Sequence, residues 1–144
     1  MADKVWLVFH SIGRERTMRP DFERNDGLIR AIAQDAVTRE VLMDAFMNEE
    51  AFDETMRTRR VVYYSRSKKQ IWRKGEESGH VQLVRAVRIN CNRDALLILV
   101  EQVGGAACHD GFRSCFYREV TDDGLQVIGA RVFDPVQVYG KRGV

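Results

Sequence analysis

Three cysteines, Cys91, Cys108 and Cys115, are the residues of this 144-residue chain best suited to chemistry. A disulfide framework would leave one of the three unpaired, and disulfides are rare in a reducing compartment. Free cysteine also serves as a small buried apolar side chain, and the count alone favours that bland role. The setting argues against it. Cys91 lies in the polar stretch Asn90-Cys91-Asn92-Arg93-Asp94, and Cys108 and Cys115 bracket the loop Cys108-His109-Asp110-Gly111-Phe112-Arg113-Ser114-Cys115. Three thiolates and one open position form the ligand set of a catalytic zinc. His109, beside Cys108, is either a fourth ligand in a structural site or a general base next to a catalytic metal. There is no C-x-x-C pair, so the spacing alone is a moderate signature.

A second feature is charge. From Arg57 to Lys74 there are eight basic residues, namely Arg57, Arg59, Arg60, Arg66, Lys68, Lys69, Arg73 and Lys74, and no acidic one. The net charge of the chain is only +2, so this local excess is the informative quantity. It suits an anionic partner such as a phosphate, although a run of charge is most often just a solvated face.

The elements that must position these residues read as α+β. Val37, Val41, Leu42, Ala45 and Phe46 recur at helical spacing and suggest a first helix. Asn48 suits the N-cap of a second, with Glu49 and Glu50 in its first turn and Arg57, Arg59 and Arg60 at its end. Strands follow: Val61 to Tyr64 and Ile71-Trp72 as a hairpin, then Val81 to Ile89 and Ala95 to Val103 flanking the Cys91 turn. Phe116 to Val120 and Leu125 to Val138 suggest more. The expectation is two N-terminal helices with a mostly antiparallel sheet, in a single domain over residues 1–144 with loose ends. No apolar run approaches the roughly 20 residues that cross a bilayer. The apolar start, Met1 to Phe9, lacks the pattern of a signal peptide. The expected location is therefore the cytoplasm, with no membrane contact.

Read in order, several pieces form a specific set: Gln34-Asp35, Val41-Leu42-Met43, Met47-Asn48, Tyr64-Ser65-Arg66-Ser67, Trp72-Arg73-Lys74-Gly75-Glu76, Ser78-Gly79-His80, Cys91, Asp94, Cys108-His109 and Ser114-Cys115-Phe116. In these the chain resembles phosphoribosyl-AMP cyclohydrolase of histidine biosynthesis. About the first 30 residues and those from 120 to 144 are not covered, and no fused pyrophosphohydrolase domain is expected.

The resemblance implies a hydrolase that opens the adenine ring of N1-(5-phosphoribosyl)-AMP, a small-molecule nucleotide. Water attacks C6 and the N1–C6 bond breaks. It implies one zinc per subunit, which lowers the pKa of a water from about 16 to near 7. It implies an intertwined homodimer, with the zinc site at the interface: Cys91 from one subunit, Cys108 and Cys115 from the other. His109 is the first candidate to pass a proton to the leaving nitrogen, and His80 the second. Ser65, Arg66 and Ser67 suit one substrate phosphate. Arg73, Lys74 and the loop Gly75, Glu76, Ser78 and Gly79 suit the other phosphate or the ring. Trp72 is placed to stack on the purine or to pack in the core.

One piece departs from the family. Aspartates normally flank the first cysteine, in the pattern Asp-Cys-Asp-x-Asp, and are thought to bind magnesium. Here they are Asn90, Asn92 and Asp94, with Arg93 between. Magnesium depends on carboxylates, so a tight site at this turn is not expected. Either the chain is a cyclohydrolase with less need for magnesium, or it is a paralogue acting on another N-heterocycle. Two readings of other classes remain. A nucleic-acid-binding module explains the basic hairpin with Tyr63, Tyr64 and Trp72, but not the Cys-His loop. A structural zinc protein uses His109 as its fourth ligand and unfolds without metal.

Overall fold

The first expected helix is a strand. In the computed structural model, which describes residues 19–140, Val41–Met47 forms strand β2, antiparallel to β1 (Ile29–Asp35). The helical spacing spanned a turn. Val37 lies between the strands and is exposed, its amide held by Asp35 Oδ1 at 2.9 Å. In β1 the pattern has a period of two: Ile29, Ala31 and Ala33 are buried and Arg30 is exposed, as a pleated strand requires. The expected pair of N-terminal helices is thus one helix, α1 (Glu49–Thr58). The apolar start Met1 to Phe9 lies outside the described residues.

Helix α1 begins as its sequence dictates. Asn48 is the N-cap, accepting the Ala51 amide at 2.9 Å, and Glu49 and Glu50 occupy the first turn. It stops at Arg59, whose left-handed backbone sends its amide to the Thr55 carbonyl. Thr55, fully buried, donates to Ala51 O at 2.8 Å and accepts the Val62 amide at 2.9 Å, which fastens α1 to β3 (Val62–Ser65).

The expected hairpin follows, with β3 antiparallel to β4 (Gln70–Arg73), and then β5 (Gln82–Ile89) antiparallel to β6 (Ala95–Gln102). The six strands run in the order β4-β3-β2-β1-β6-β5. Only the pairing of β1 with β6 is parallel, so the sheet is mostly antiparallel, as expected. Ile29, Ala31, Ala33, Met43, Met47, Leu96, Ile98 and Val100 form the core with Phe52 of α1 and Phe22, whose rings lie 5.9 Å apart.

The last third differs from the expectation of long strands. β7 (Arg118–Thr121) and β8 (Gly124–Val127) make a separate, largely exposed hairpin. Pro135 to Val138, the end of the expected Leu125 to Val138 strand, instead belongs to the short helix α2 (Pro135–Tyr139), capped by Asp134 with proline in the first turn. No helix among the described residues is long and apolar enough to cross a membrane.

Candidate active site

The loop holding Cys108 and Cys115 is tied on every side. The Ala107 amide donates to Arg113 O at 3.0 Å and the Cys108 amide to Phe112 O at 3.1 Å, closing a small turn. Gly111 sits at its tip with φ +89, and a Cβ there would lie 2.1 Å from Phe133 O, so only glycine fits. Behind the turn, the Cys115 amide donates to Leu42 O at 2.7 Å and Ser114 Oγ to Val41 O at 2.7 Å. Arg113 forks onto the β1–β2 turn, with Nη2 at 2.9 Å from Asp35 Oδ2 and Nε at 2.5 Å from Glu40 Oε2.

This anchoring brings the two thiols into contact. The Cys115 thiol hydrogen-bonds Cys108, and the Asp110 amide points at Cys108 Sγ from 3.4 Å; together they outweigh burial and draw the Cys108 thiol down to about 6. Cys115 moves the other way, pushed up by the same bond, by burial and by the charge of Cys108. The pair thus holds one thiolate readily, on Cys108.

Beneath the pair lies Lys74, only 6% exposed and the one charged side chain buried among the described residues. Its Nζ donates to the carbonyl of Ala107 and stands 5.2 Å from the Trp72 ring. Burial lowers its pKa, and the charges of Cys115 and Cys108 oppose that shift. Gly75 makes the inward turn possible: its φ is +81 and a Cβ would meet Val81 N at 2.3 Å. Next to this, a buried polar chain runs across the sheet. Tyr63 OH donates to Gln82 Oε1 at 2.6 Å, Gln82 Nε2 to Gln102 Oε1 at 2.8 Å, and Gln102 Nε2 to His80 O at 3.0 Å. Burial pushes the Tyr63 phenol up, so it stays neutral.

The two histidines sit differently. His109 is exposed, with Nε2 3.8 Å from Asp110 Oδ1, and Asp110 is itself held by Tyr117 OH at 3.0 Å. His80 lies flat on Gly104, where a Cβ would come within 2.3 Å of its ring, and packs edge-on to Phe133 at 4.8 Å. Its Nδ1 is buried without a hydrogen-bond partner.

Cys91 is elsewhere. It is exposed on the β5–β6 turn, which opens onto the start of β1 through the Arg30 amide to Asp94 O bond of 3.1 Å. Cys115 docks on Leu42, beside the Ala33–Gln34 end of the same strand. The three residue steps from Arg30 to Ala33 span about 10 Å, whereas sulfurs sharing a zinc lie within about 4 Å. Among the described residues, no three His, Cys, Asp or Glu side chains are grouped to hold a metal. Cys108 and Cys115 suit two corners of a tetrahedral zinc; a third thiolate, if one is used, would have to come from outside this loop.

The three residues considered for magnesium are partly engaged with one another. Asn90 Oδ1 accepts the amides of Asp94 and Ala95, both at 3.0 Å, and Asn90 Nδ2 donates to Asp94 Oδ1 at 2.5 Å. This is an Asx-type cap that engages Asn90 Oδ1 and Asp94 Oδ1 within the turn, where two of the family's three carboxylates are already replaced by amides. Arg93 places Nη2 3.4 Å from Asp21 Oδ2, and Asn92 is exposed.

The substrate candidates divide. Ser65 and Ser67 face each other at 3.3 Å on the β3–β4 turn, with the Arg66 guanidinium 4.1 Å over the Phe46 ring. Arg73 is paired with Glu54 of α1 at 2.7 Å. Trp72 is 38% exposed and leans on Tyr63 at 5.5 Å. Glu76 and Gly79 are exposed on the following loop, where Ser78 Oγ accepts the His80 amide at 3.2 Å. Sequence reasoning missed Arg113, Gln82 and Gln102. For the glutamines a signal existed: each sits two residues from an apolar residue buried on the same face, Val84 in β5 and Val100 in β6.

Comparison with known proteins makes the chain an enzyme, a hydrolase acting on a cyclic amidine. The sequence model described as phosphoribosyl-AMP cyclohydrolase matches residues 43–117. The chain belongs to that family, which acts in histidine biosynthesis. A phosphoribosyl-AMP cyclohydrolase of Nitratidesulfovibrio vulgaris (strain DP4) is 56% identical over 120 residues, covering 83% of this chain and 95% of the relative. One from Oleidesulfovibrio alaskensis is 55% identical, covering 83% and 92%. One from Methanosarcina barkeri is 54% identical over 113 residues, covering 78% and 84%.

Proposed function

We propose that this chain hydrolyses N1-(5-phosphoribosyl)-AMP with a zinc ion held by Cys108 and Cys115 of one copy and Cys91 of a second, in a homodimer. The observation that carries the reading is the thiol contact itself: two sulfurs brought together, one favouring thiolate, with the third on a distant turn. Bound there, zinc supplies the Lewis acidity that makes water nucleophilic at neutral pH. The chain's own residues do the rest. Ser65, Arg66 and Ser67 grip a phosphate on the exposed hairpin turn. Water adds to C6 and gives up a proton to His109, exposed beside Cys108; as the N1–C6 bond breaks and C6 becomes a carboxamide carbonyl, His109 returns that proton to the departing N1. A reducing cytoplasm suits three free thiols.

Magnesium has no role at the β5–β6 turn in this reading, because Asn90 and Asp94 hold each other instead. The test is an assay of the purified protein on N1-(5-phosphoribosyl)-AMP, with zinc content measured and magnesium varied. Turnover that needs zinc and ignores magnesium is expected. Zinc-loaded protein with no turnover at any magnesium level sinks the substrate assignment. Turnover that survives complete zinc removal sinks the metal.

A further inference from the structure

Lys74 was a candidate phosphate ligand from its place in the basic stretch, yet it points away from solvent. A lysine is almost never fully buried unless something compensates its charge, because an ammonium gives up strong hydration on leaving water. One compensation is the Ala107 carbonyl, which belongs to the residue before Cys108. The other is electrostatic. Cys108 and Cys115 lie close enough to Lys74 for a thiolate on either to favour its ammonium form against burial. The other charged neighbours of the thiols are two carboxylates, Asp110 beside Cys108 and Asp44 beside Cys115, and the exposed His109 imidazole on the solvent side of Cys108. Asp44 is paired with Arg30 at 2.5 Å, and Asp110 is held by Tyr117. A divalent zinc with three thiolates carries one surplus negative charge. Without a buried cation that surplus would sit in a partly desolvated pocket next to two acids. The fold commits Gly75 and the turn after β4 to placing a cation there.

Resting on the zinc reading, we propose that Lys74 is a positioning residue for the thiol pair. Its buried ammonium pins the carbonyl of Ala107, the residue before Cys108, and sets a positive charge beside the thiol loop. It is not a contact to substrate phosphate. Outer partners of this kind typically tune metal affinity by about 10- to 100-fold.

The experiment uses the full-length protein and three variants, Lys74→Arg, Lys74→Gln and Lys74→Met. Each is titrated with zinc against a chromogenic chelator and with cobalt, whose thiolate charge-transfer band reports the bound sulfurs. KM and kcat are measured in parallel. Lys74→Gln keeps a donor for Ala107 but loses the charge. It is expected to bind zinc about 10- to 100-fold more weakly, with a weaker cobalt band and KM nearly unchanged. Lys74→Met should lose more, and Lys74→Arg should recover part. If Lys74→Met fails to fold, Lys74→Gln decides. Equal zinc affinity in Lys74→Gln and the parent, or a raised KM with unchanged zinc affinity, overturns the inference and returns Lys74 to the substrate. A parent that takes up neither zinc nor cobalt overturns the zinc reading itself.

Discussion

The Cys108–Cys115 loop and the β5–β6 turn each carry thiol chemistry, and they are built on opposite plans. The first is tied to β1, β2, the β1–β2 turn and Lys74, so its sulfurs are fixed before any ligand arrives. The second is closed on itself by Asn90 and Asp94 and offers Cys91 to solvent. A rigid pair with an open corner and an outlying single thiol are complementary halves. Separated by about 10 Å of strand within one chain, they would meet only between two chains, as the proposed homodimer requires. Preorganisation is concentrated where two ligands must agree, and the lone ligand is left on a projecting turn.

The sharpest way to break this comparison is to divide the halves between molecules. Cys108→Ala and Cys91→Ala should each lose at least about a thousandfold in turnover, since the metal supplies several kcal/mol of transition-state stabilisation. Unfolded together and refolded as a mixture, the two variants should regain about a quarter of parental activity. Half the dimers are then hybrids, each with one whole site. No recovery, with dimers demonstrated by sedimentation, would place all three cysteines in one chain.

A smaller effect should come from untying the rigid half. Arg113→Ala removes the fork onto Asp35 and Glu40 and is expected to lower turnover about 10- to 100-fold, with the thiols still present. Turnover equal to the parent would show that the backbone bonds alone hold the loop.

The turn can be sharpened by restoring a carboxylate. Asn90→Asp loses the donor to Asp94 and sets two acids together, so thermal stability should fall by about 1–2 kcal/mol without magnesium. Added magnesium should return it, while leaving the parent's melting unchanged. A parent that melts higher with magnesium would contradict the closed turn.

The smallest effect is in acid. The Thr38 and Val37 amides and Arg113 hold the Asp35 carboxyl below its ordinary 3.8 against a counteracting burial effect. Its folded pKa is depressed, so its contribution is full above the unfolded value and lost as pH falls through the folded one. The parent's melting temperature should drop below about pH 4. Asp35→Asn should flatten that drop, as followed by circular dichroism.

How much of this was readable in advance depends on what each residue announces. Asn48 followed by Glu49 and Glu50 declares a helix start through local hydrogen bonding, and α1 begins there. Val61 to Tyr64 with Ile71-Trp72 declares a hairpin by composition. β1 was hidden because Ala31 and Ala33 give a weak apolar alternation, and Val37 lent β2 a false helical period from within a turn. At the C-terminal end, Asp134-Pro135 was a helix-start signal masked by neighbouring valines. For the site, residue type and loop setting pointed to the thiols, which are chemically distinctive. The direction of a lysine is not written in its neighbours. Lys74 and Arg73 look alike in sequence, yet one is buried under the thiols and the other is paired on the surface with Glu54. That distinction arises only when Gly75 turns the chain.

The single parallel pairing, β1 with β6, has a consequence for how the chain is made. Strands β1 to β4 can pair as they leave the ribosome, each with a near neighbour in sequence. One edge of β1 must wait until Ala95–Gln102 has been synthesised. During that interval the nascent chain presents an unpaired, apolar-backed edge, the feature that invites pairing with the wrong molecule. Aggregation of the newly made chain should therefore depend on how soon Ala95–Gln102 becomes free to cover that edge.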